Sequence, residues 1–432
     1  MSPLTRRQLL VGGAAAATGA VVSRATAAPR AVRRTAPTSL PSPASSGIDH
    51  IVVVVMENRS FDHYLGWLPG AEGQQAGLAY PDDTGVLHQT RRWTERQGCG
   101  FNDPDHSYSG GRVQLNGGAC DGFRRGDNDD FALGYYTGED LPFYQPFVGQ
   151  STVFDHWFCS ILSSTYPNRY YTHAGRTEQV DNSMVTNNMP TIWDRLSGAG
   201  VSANYYFNDL PFLALWGEKY IPIARPFSSF LAQAASGTLP SYSYIDPFFL
   251  GEDQGGSNDD HPHADIHRGQ AFVSLIANAI ATSPLWSKTA LIVTYDEWGG
   301  FFDHVPPPQL PDDAPTADFD HSQAGFRVPS FVFSPFARRG GIDHEVYDHT
   351  SILKFVEWRW GLQPLAPRDA AARNIAYALD FAKPDLSVPT LPLVMDPGPH
   401  FCASPDTGMA LEESQWLPLR DYVGRSGWRH VL

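Results

Sequence analysis

The chain has 432 residues and a formal net charge of −15, with 46 acidic and 31 basic side chains. This acidic excess argues against a nucleic-acid partner and against simple electrostatic docking on anionic lipid. A hydrophobic content of 42% and an aromatic content of 12% are typical of a well-packed globule with a large core.

The N-terminal segment has the pattern of an export signal. TRRQLL at residues 5–10 is a twin-arginine start, and residues 11–22 form an apolar stretch too short to span a bilayer. Residues 25–27 offer a small-residue cleavage site. We therefore predict a signal peptide over residues 1–28 and a flexible linker over residues 29–47, followed by one domain over residues 48–432. The protein is predicted to be secreted by the twin-arginine route.

The next feature is an unbroken β-branched run at residues 51–56, which predicts a parallel strand buried on both faces. Glu57 and Asn58 follow it directly. Ligands of open parallel sheets bind beyond the carboxyl ends of the strands, so this acid and this amide are candidate site residues. The alternative is a carboxylate that is solvated or caps a helix.

The long stretch at residues 67–150 has little periodicity, and we expect an insertion that forms one wall of the site. His106 lies among acids in this stretch. It is expected to be either a ligand, a phosphate contact or a solvated loop histidine. Four cysteines in an exported chain permit disulfides, and Cys99 with Cys120 is the expected pair because the two bracket a Gly/Asp/Asn-rich loop. Cys159 is expected to be a buried small hydrophobe.

A helix is predicted after residues 163–166, with Pro167 in its first turn and Gly175 at its end. Thr165 then stands just before the helix N-terminus. Backbone N–H groups there hold a phosphate, and a metal could make the hydroxyl a nucleophile. Alternatively, Ser164 or Thr165 is a plain N-cap.

A second acidic strand end lies far along the chain. Residues 290–295 predict another buried strand, and Asp296 and Glu297 follow it. Carboxylates gathered at one sheet edge repel each other unless a cation lies among them, so a metal site is predicted there. Oxygen ligands favour Ca²⁺, Mg²⁺ or Mn²⁺, while nearby histidines leave Zn²⁺ or iron open.

Further strands are predicted over residues 201–207, 239–246 and 327–334, and helices over residues 264–283 and 347–361.

Other polar side chains could contribute to the same site as Thr165 and the acidic strand ends. The acids and histidines of residues 253–267 form either a solvated loop or part of the site. Asn168 and Arg169, in the first turn of the helix after Thr165, could reach the phosphate. His261 or His263, and His304 in the turn after the second acidic strand, are candidate site residues, and His349 either faces the site or helps to cap its helix.

Four motifs follow one another along the chain: MENRSFDHYLG at 56–66, TYPNR at 165–169, DHP at 260–262 and YDEWGGFFDHV at 295–305. In this order they resemble the bacterial phosphoesterase family of non-specific phospholipases C and related acid phosphatases. The resemblance implies an α/β, alkaline-phosphatase-like fold, with a mostly parallel central sheet flanked by helices and long loop insertions. Residues 48–432 would then be a single phosphoesterase catalytic domain.

The resemblance also implies roles for individual residues. Thr165 matches the nucleophile, which would carry the phosphate as a phosphothreonine. The metal or phosphate ligands would be Glu57, Asn58, Asp296 and Glu297. Second-line candidates for phosphate contact or proton transfer would be His106, His261, His304 and His349.

Three functions fit these motifs. A secreted phospholipase C would convert phosphatidylcholine-type lipids to diacylglycerol and a phosphorylated head group, with transient contact to a membrane surface. Aromatic residues at 143–147, 247–250 and 301–302 could form the surface that the lipid meets, although such residues more often belong to a core. An acid phosphatase would hydrolyse small phosphate monoesters, and a secreted binding protein would hold a purely structural metal. A monomer is expected.

Overall fold

The computed structural model describes residues 39–312, 319–403 and 413–431, so the predicted signal peptide lies outside the described residues. Of the predicted linker, residues 39–47 are described and include one 3-10 turn, Pro43–Ser45. Within the described part, eight strands form the main sheet: β1 His50–Met56, β2 Thr152–Phe154, β3 Ala203–Phe207, β4 Ala224–Pro226, β5 Tyr242–Ile245, β6 Thr289–Tyr295, β7 Ser330–Phe333 and β8 Gly341–Asp343.

The strands lie in the order β8-β2-β7-β6-β1-β5-β3-β4. Strand β7 is antiparallel to β6 and β2, and the other neighbouring pairs are parallel. The prediction of a mostly parallel α/β sheet is confirmed. The strand predicted over residues 327–334 is present but shorter, and it runs in the antiparallel direction.

Helices flank this sheet, because parallel strands need crossover connections. The predicted helices over residues 264–283 and 347–361 are confirmed as Ile266–Ala281 and Thr350–Trp360, each slightly shorter. The described helices are α1 Phe61–Leu65, α2 Tyr108–Leu115, α3 Tyr144–Phe147, α4 Thr165–Ala174, α5 Ile192–Gly198, α6 Phe227–Ser236, α7 Ile266–Ala281, α8 Thr350–Trp360, α9 Pro367–Ala371 and α10 Glu413–Arg425. Among the described residues, none of these helices has the length and apolarity that a membrane span requires.

The two central strands bring their polar ends to one level. Met56 of β1 lies opposite Tyr295 of β6, and both strands are buried almost throughout. On the other side of β1, Val54 lies opposite Ile245 of β5. The residues that follow these three strands therefore leave the sheet at the same edge, where the polar site forms.

The predicted disulfide between Cys99 and Cys120 is wrong. Cys99 pairs with Cys402, at a sequence separation of 303, while Cys120 and Cys159 are free and buried. Cys120 instead packs into the hydrophobic core. Partner choice was decided instead by the path of the C-terminal segment, which returns to the loop that begins at Cys99.

Candidate active site

The acids that follow β1, β5 and β6 surround the guanidinium of Arg169 on α4. Its Nη1 lies 2.8 Å from Asp246 Oδ1, its Nε 2.9 Å from Asp296 Oδ2 and its Nη2 3.3 Å from Glu57 Oε1. All four side chains are buried. Because a guanidinium keeps its charge in proteins, Arg169 supplies a positive charge inside the acid cluster. The sequence had led us to expect that a metal ion alone would supply this charge.

Burial and the charge of Arg169 shift the pKa values of these acids in opposite directions. Burial raises the pKa of Asp246 to about 6, and the charge of Arg169 opposes that shift. The pKa of Asp296 is raised in the same way. Arg169 also donates to the carbonyl oxygens of Val55 and Met56, at 3.2 and 3.4 Å. The N–H groups of Arg169 are thus surrounded by oxygens of the protein. This geometry does not support a contact between Arg169 and phosphate, which stays a prediction.

Thr165 is the first residue of α4, one position further into the helix than predicted, and Ser164 before it is extended. The Thr165 hydroxyl donates to Asn58 Oδ1 at 3.5 Å, and the Asn58 backbone N–H donates to Asp296 Oδ1 at 3.2 Å. Asn58 thus connects the hydroxyl with the acidic sheet edge. The structure places Thr165 beside the predicted ligands, and its role as nucleophile remains a prediction.

The backbone of Asn58 has a φ of 61°, which few residues other than glycine adopt. Gly299 packs directly on it, and a Cβ at Gly299 would lie 2.1 Å from the Asn58 carbonyl oxygen. Gly299 N also donates to Glu297 Oε2 at 2.7 Å. The glycine that follows the second acidic strand therefore lets the two strand ends approach each other.

His106 is buried, so the alternative of a solvated loop histidine is wrong. Its Nδ1 lies 2.7 Å from the carbonyl oxygen of Pro104, which can only accept, so Nδ1 carries the proton. Its Nε2 lies 3.4 Å from Asn58 Nδ2 and 3.7 Å from Glu297 Oε1. A basic ring nitrogen is thereby placed next to the Asn58 amide that contacts Thr165.

His261 and His263 of the 253–267 stretch are also buried, which excludes a solvated loop at these two residues. His261 Nε2 lies 3.4 Å from Asp103 Oδ2, and the rings of His261 and His106 are 6.2 Å apart. His263 Nε2 donates to the carbonyl oxygen of Phe101 at 3.0 Å. His261 therefore joins His106 at the site, while His263 contacts the loop that carries Asp103.

Two of the predicted histidines have other surroundings. His349 Nε2 donates to the Asp296 carbonyl oxygen at 2.6 Å, and its Nδ1 accepts from Trp157 Nε1 at 3.2 Å. Burial lowers the pKa of His349 to about 4, so this ring is neutral, with both nitrogens in use. His304 Nδ1 instead donates to Asp62 Oδ2 at 2.5 Å, in a cluster with Asp303. Neither arrangement supports the predicted proton transfer.

Asn168 positions the helix start rather than a substrate. Its Nδ2 donates to the carbonyl oxygens of Ile161, Ser163 and Ser164, and its Oδ1 accepts from Ile161 N. These bonds hold the turn that precedes Thr165. The predicted substrate contact of Asn168 is therefore not supported, although the residue fixes the place of the hydroxyl.

Three described groups of side chains have ligand atoms close enough to share one metal ion, within 4.8 Å of one another. One contains only buried carboxylates, a donor set that fits a hard divalent cation. Another, at the site, combines two imidazoles with one carboxylate. Among the three side chains of the all-carboxylate set, Asp259 has a buried Oδ2 without a hydrogen-bond partner in the described chain. The groups are Glu57, Glu252 and Asp259; Asp103, His106 and His261; and Asp62, Asp303 and His304.

Sequence reasoning missed several of these acids. Asp246 directly follows strand β5, so the rule that selected Glu57 and Asp296 would have selected it too. Asp103 and Asp259 lie within polar segments whose acids were noted, but only the histidines of those segments were named as individual candidates. Glu252 carries no such signal, since its short 3-10 turn, Glu252–Gln254, is part of an irregular segment.

A cavity of about 540 Å³ lies beside the start of α4. Ser164 and His106 line its inner part, and Tyr108, Val180 and Phe319 provide apolar lining. The aromatic residues that sequence reasoning placed against a lipid lie elsewhere, because Phe143, Phe147, Phe249, Phe301 and Phe302 are all fully buried. At these five positions the predicted lipid surface is wrong, while Phe248 and Leu250 are partly exposed and line a different cavity, so a lipid contact there stays a prediction.

Comparisons with known proteins agree with the motifs. The model of the Phosphoesterase family matches residues 48–363. Non-specific phospholipase C1 of Arabidopsis thaliana is 33% identical over 370 residues, which are 75% of this chain and 69% of that protein. Phospholipase C B of Mycobacterium tuberculosis is 32% identical over 463 aligned positions, covering 88% of this chain and 86% of that protein.

Solved structures resemble the chain only distantly. The lipoteichoic acid synthase LtaP of Listeria monocytogenes gives a TM-score of 0.40 at 9% identity and covers 90% of this chain and 95% of that chain. A protein in the alkaline phosphatase superfamily from Vibrio parahaemolyticus gives 0.38 at 10% identity, over 78% and 72%. Since these scores are too low to carry an argument, the assignment rests on the sequence matches and the motifs. The chain belongs to the phosphoesterase family and is a hydrolase of phosphoester bonds.

Proposed function

We propose that this chain is a secreted, metal-dependent phospholipase C that hydrolyses phosphatidylcholine-type lipids through a phosphothreonine at Thr165. The observation that carries the proposal is the place of the Thr165 hydroxyl. It lies at the start of a ten-residue helix and is bonded to Asn58, and the preceding residue, Ser164, lines a cavity together with His106. The N-terminus of a helix favours a phosphate group, because its N–H groups and dipole point toward the anion.

The proposed reaction has two displacements at phosphorus. Thr165 Oγ gives its proton to a histidine and forms a bond to phosphorus while the bond from phosphorus to the glycerol oxygen breaks, and that oxygen takes the proton from the same histidine. His106 is the best-placed histidine, since its basic Nε2, which can accept the proton of Thr165 and then donate it, lies beside the Asn58 amide. Water then gives a proton to the histidine and attacks phosphorus, Thr165 Oγ leaves and takes that proton, and the phosphorylated head group is released.

A bound divalent cation would lower the pKa of the Thr165 hydroxyl and neutralise charge on the phosphate oxygens. Glu57 is the residue best placed to hold this cation. It belongs to the set of buried carboxylates that also contains Glu252 and Asp259, and it lies at the same sheet edge as Asn58. Arg169 keeps the neighbouring Asp246 and Asp296 paired within the protein. Export by the twin-arginine route would suit a metalloenzyme that folds before it is transported.

The test compares two substrates and two variants. Phosphatidylcholine vesicles should yield diacylglycerol and choline phosphate faster than a chromogenic phosphate monoester yields its alcohol. Thr165→Ala should abolish turnover without loss of stability, and Thr165→Ser should retain part of it, because serine keeps the hydroxyl. Mass spectrometry of wild-type protein acid-quenched with phosphatidylcholine should find the phosphorylated head group, choline phosphate, attached to residue 165. Faster hydrolysis of the monoester would favour an acid phosphatase, and full activity of Thr165→Ala would refute the mechanism.

A further inference from the structure

The outer part of the cavity beside Thr165 is acidic and aromatic. Asp105 and Asp181 contribute part-exposed and exposed carboxylates, and the Phe319 ring is 41% exposed. Neither a lysine nor an arginine is among the described residues that line this cavity. A ligand in it therefore meets negative charge next to an open aromatic ring.

The aromatic side is held in place by its neighbours. Phe319 packs edge-on against Tyr108, with ring centroids 5.3 Å apart. The Tyr108 hydroxyl accepts from Asp320 N at 2.7 Å, and the Arg112 guanidinium lies 3.2 Å from the Tyr108 ring centroid. Arg112 does not line the cavity, and it also donates to the carbonyl oxygen of Leu162. Tyr108 is thus occupied by a cation of the protein, while Phe319 offers the ring that a ligand can reach.

The carboxylates have defined directions. Asp105 Oδ1 accepts from Ser107 N at 2.9 Å, and Asp181 Oδ1 accepts from Ser183 N at 3.1 Å. One backbone N–H orients a carboxylate without cancelling its charge. Asp103, which lies closer to His106, is a third acid in the same lining.

We propose that this cavity selects phosphate esters whose head group is an organic cation, such as an ammonium alcohol, over esters with neutral or anionic groups. The inference rests on the proposed function, because a phosphate at Thr165 would leave its head group between His106 and Phe319. Aromatic faces attract ammonium groups, and the carboxylates add Coulomb attraction. A volume of about 540 Å³ is ample for one such group. Asp105 and Phe319 are the specificity-determining residues.

The experiment uses two soluble chromogenic diesters with the same nitrophenol leaving group. One carries choline, and the other carries 3,3-dimethylbutanol, which has the same shape without the charge. We expect kcat/KM of the wild-type protein to favour the choline ester by about tenfold. Asp105→Asn and Phe319→Leu should each lower that ratio, mainly through the choline ester.

The same substitutions at exposed positions lining other cavities, Asp396→Asn and Phe401→Leu, serve as matched controls and should leave the ratio unchanged. Thermal unfolding of each variant checks that it is folded. A wild-type ratio near one, or an equal loss on both esters in Asp105→Asn and Phe319→Leu, would overturn the selection while the proposed function stands. Absence of turnover on both esters and on lipid by the wild-type protein would overturn the proposed function itself.

A third arm of the experiment tests whether the preferred ester is a lipid or a soluble molecule. Vesicles of phosphatidylcholine and of phosphatidylglycerol present a cationic and an uncharged head group on the same lipid backbone. The same preference on vesicles as in solution would assign the cavity to a lipid head group. A preference for choline in solution alone would support cation selection and assign the cavity to a soluble ester.

Discussion

Replacing Arg169 by methionine tests the idea that an internal guanidinium holds the acidic sheet edge together. Its nitrogens lie within 3.3 Å of three carboxylates, on Glu57, Asp246 and Asp296. Removing one partner of a buried ion pair costs about 3–5 kcal/mol, because the remaining charge is left without compensation in a poor solvent for ions. We expect Arg169→Met to lose stability in this range at neutral pH.

The loss should depend on pH. Without the guanidinium, the acids take up protons more readily, and at about pH 5 Asp246, whose pKa is raised to about 6, is already largely neutral in the wild-type protein. The effect of Arg169→Met should therefore be smaller at pH 5 than at pH 7. Urea unfolding followed by tryptophan fluorescence at both pH values measures the difference.

Arg92→Met is the matched control, since Arg92 forms ion pairs with Glu139 and Asp140 at the protein surface. Solvent-exposed pairs contribute little, so this variant should unfold almost as the wild type does. A loss for Arg169→Met below about 1 kcal/mol at pH 7, or an equal loss at both pH values, would refute the role of Arg169 as the internal counter-ion.

Three other predictions concern pH, the disulfide and the metal. Burial raises the pKa of Asp246 to about 6 from 3.8, so the native state binds this proton more tightly than the unfolded chain does. This acid should therefore lower stability progressively as pH rises from about 4 to 6, by up to about 3 kcal/mol, and unfolding curves of Asp246→Asn should lack that component. Cys402→Ser opens a loop with a sequence separation of 303 and should lower stability by about 2–5 kcal/mol in chemical unfolding; reductant should destabilise the wild type and Cys120→Ser, which both keep the disulfide, but not Cys402→Ser. Dialysis against a chelator should remove turnover, added divalent cation should restore it, and Glu57→Gln should retain less metal by elemental analysis; full turnover of metal-free protein would contradict the proposed cofactor.

The local sequence determined the elements that carry the site. The β-branched run at residues 51–56 and the apolar run at 290–295 had to become buried parallel strands, because neither alternates and both are too short for an ordinary helix. Glu57, Asn58 and Asp296 follow those strands, so their common edge was predictable. Pro167 and Gly175 likewise indicated the helix that begins beside Thr165.

Tertiary structure decided the partners. No spacing rule shows that Arg169 neutralises acids from three strand ends, since those contacts join segments that the sheet order alone makes neighbours. The same holds for Cys402, which reaches Cys99 across a separation of 303, and for His349, whose ring faces the backbone of Asp296. Secondary structure follows short-range patterns, whereas ion pairs and disulfides depend on which distant surfaces pack together. A polar residue's role is therefore set by the neighbours that folding gives it.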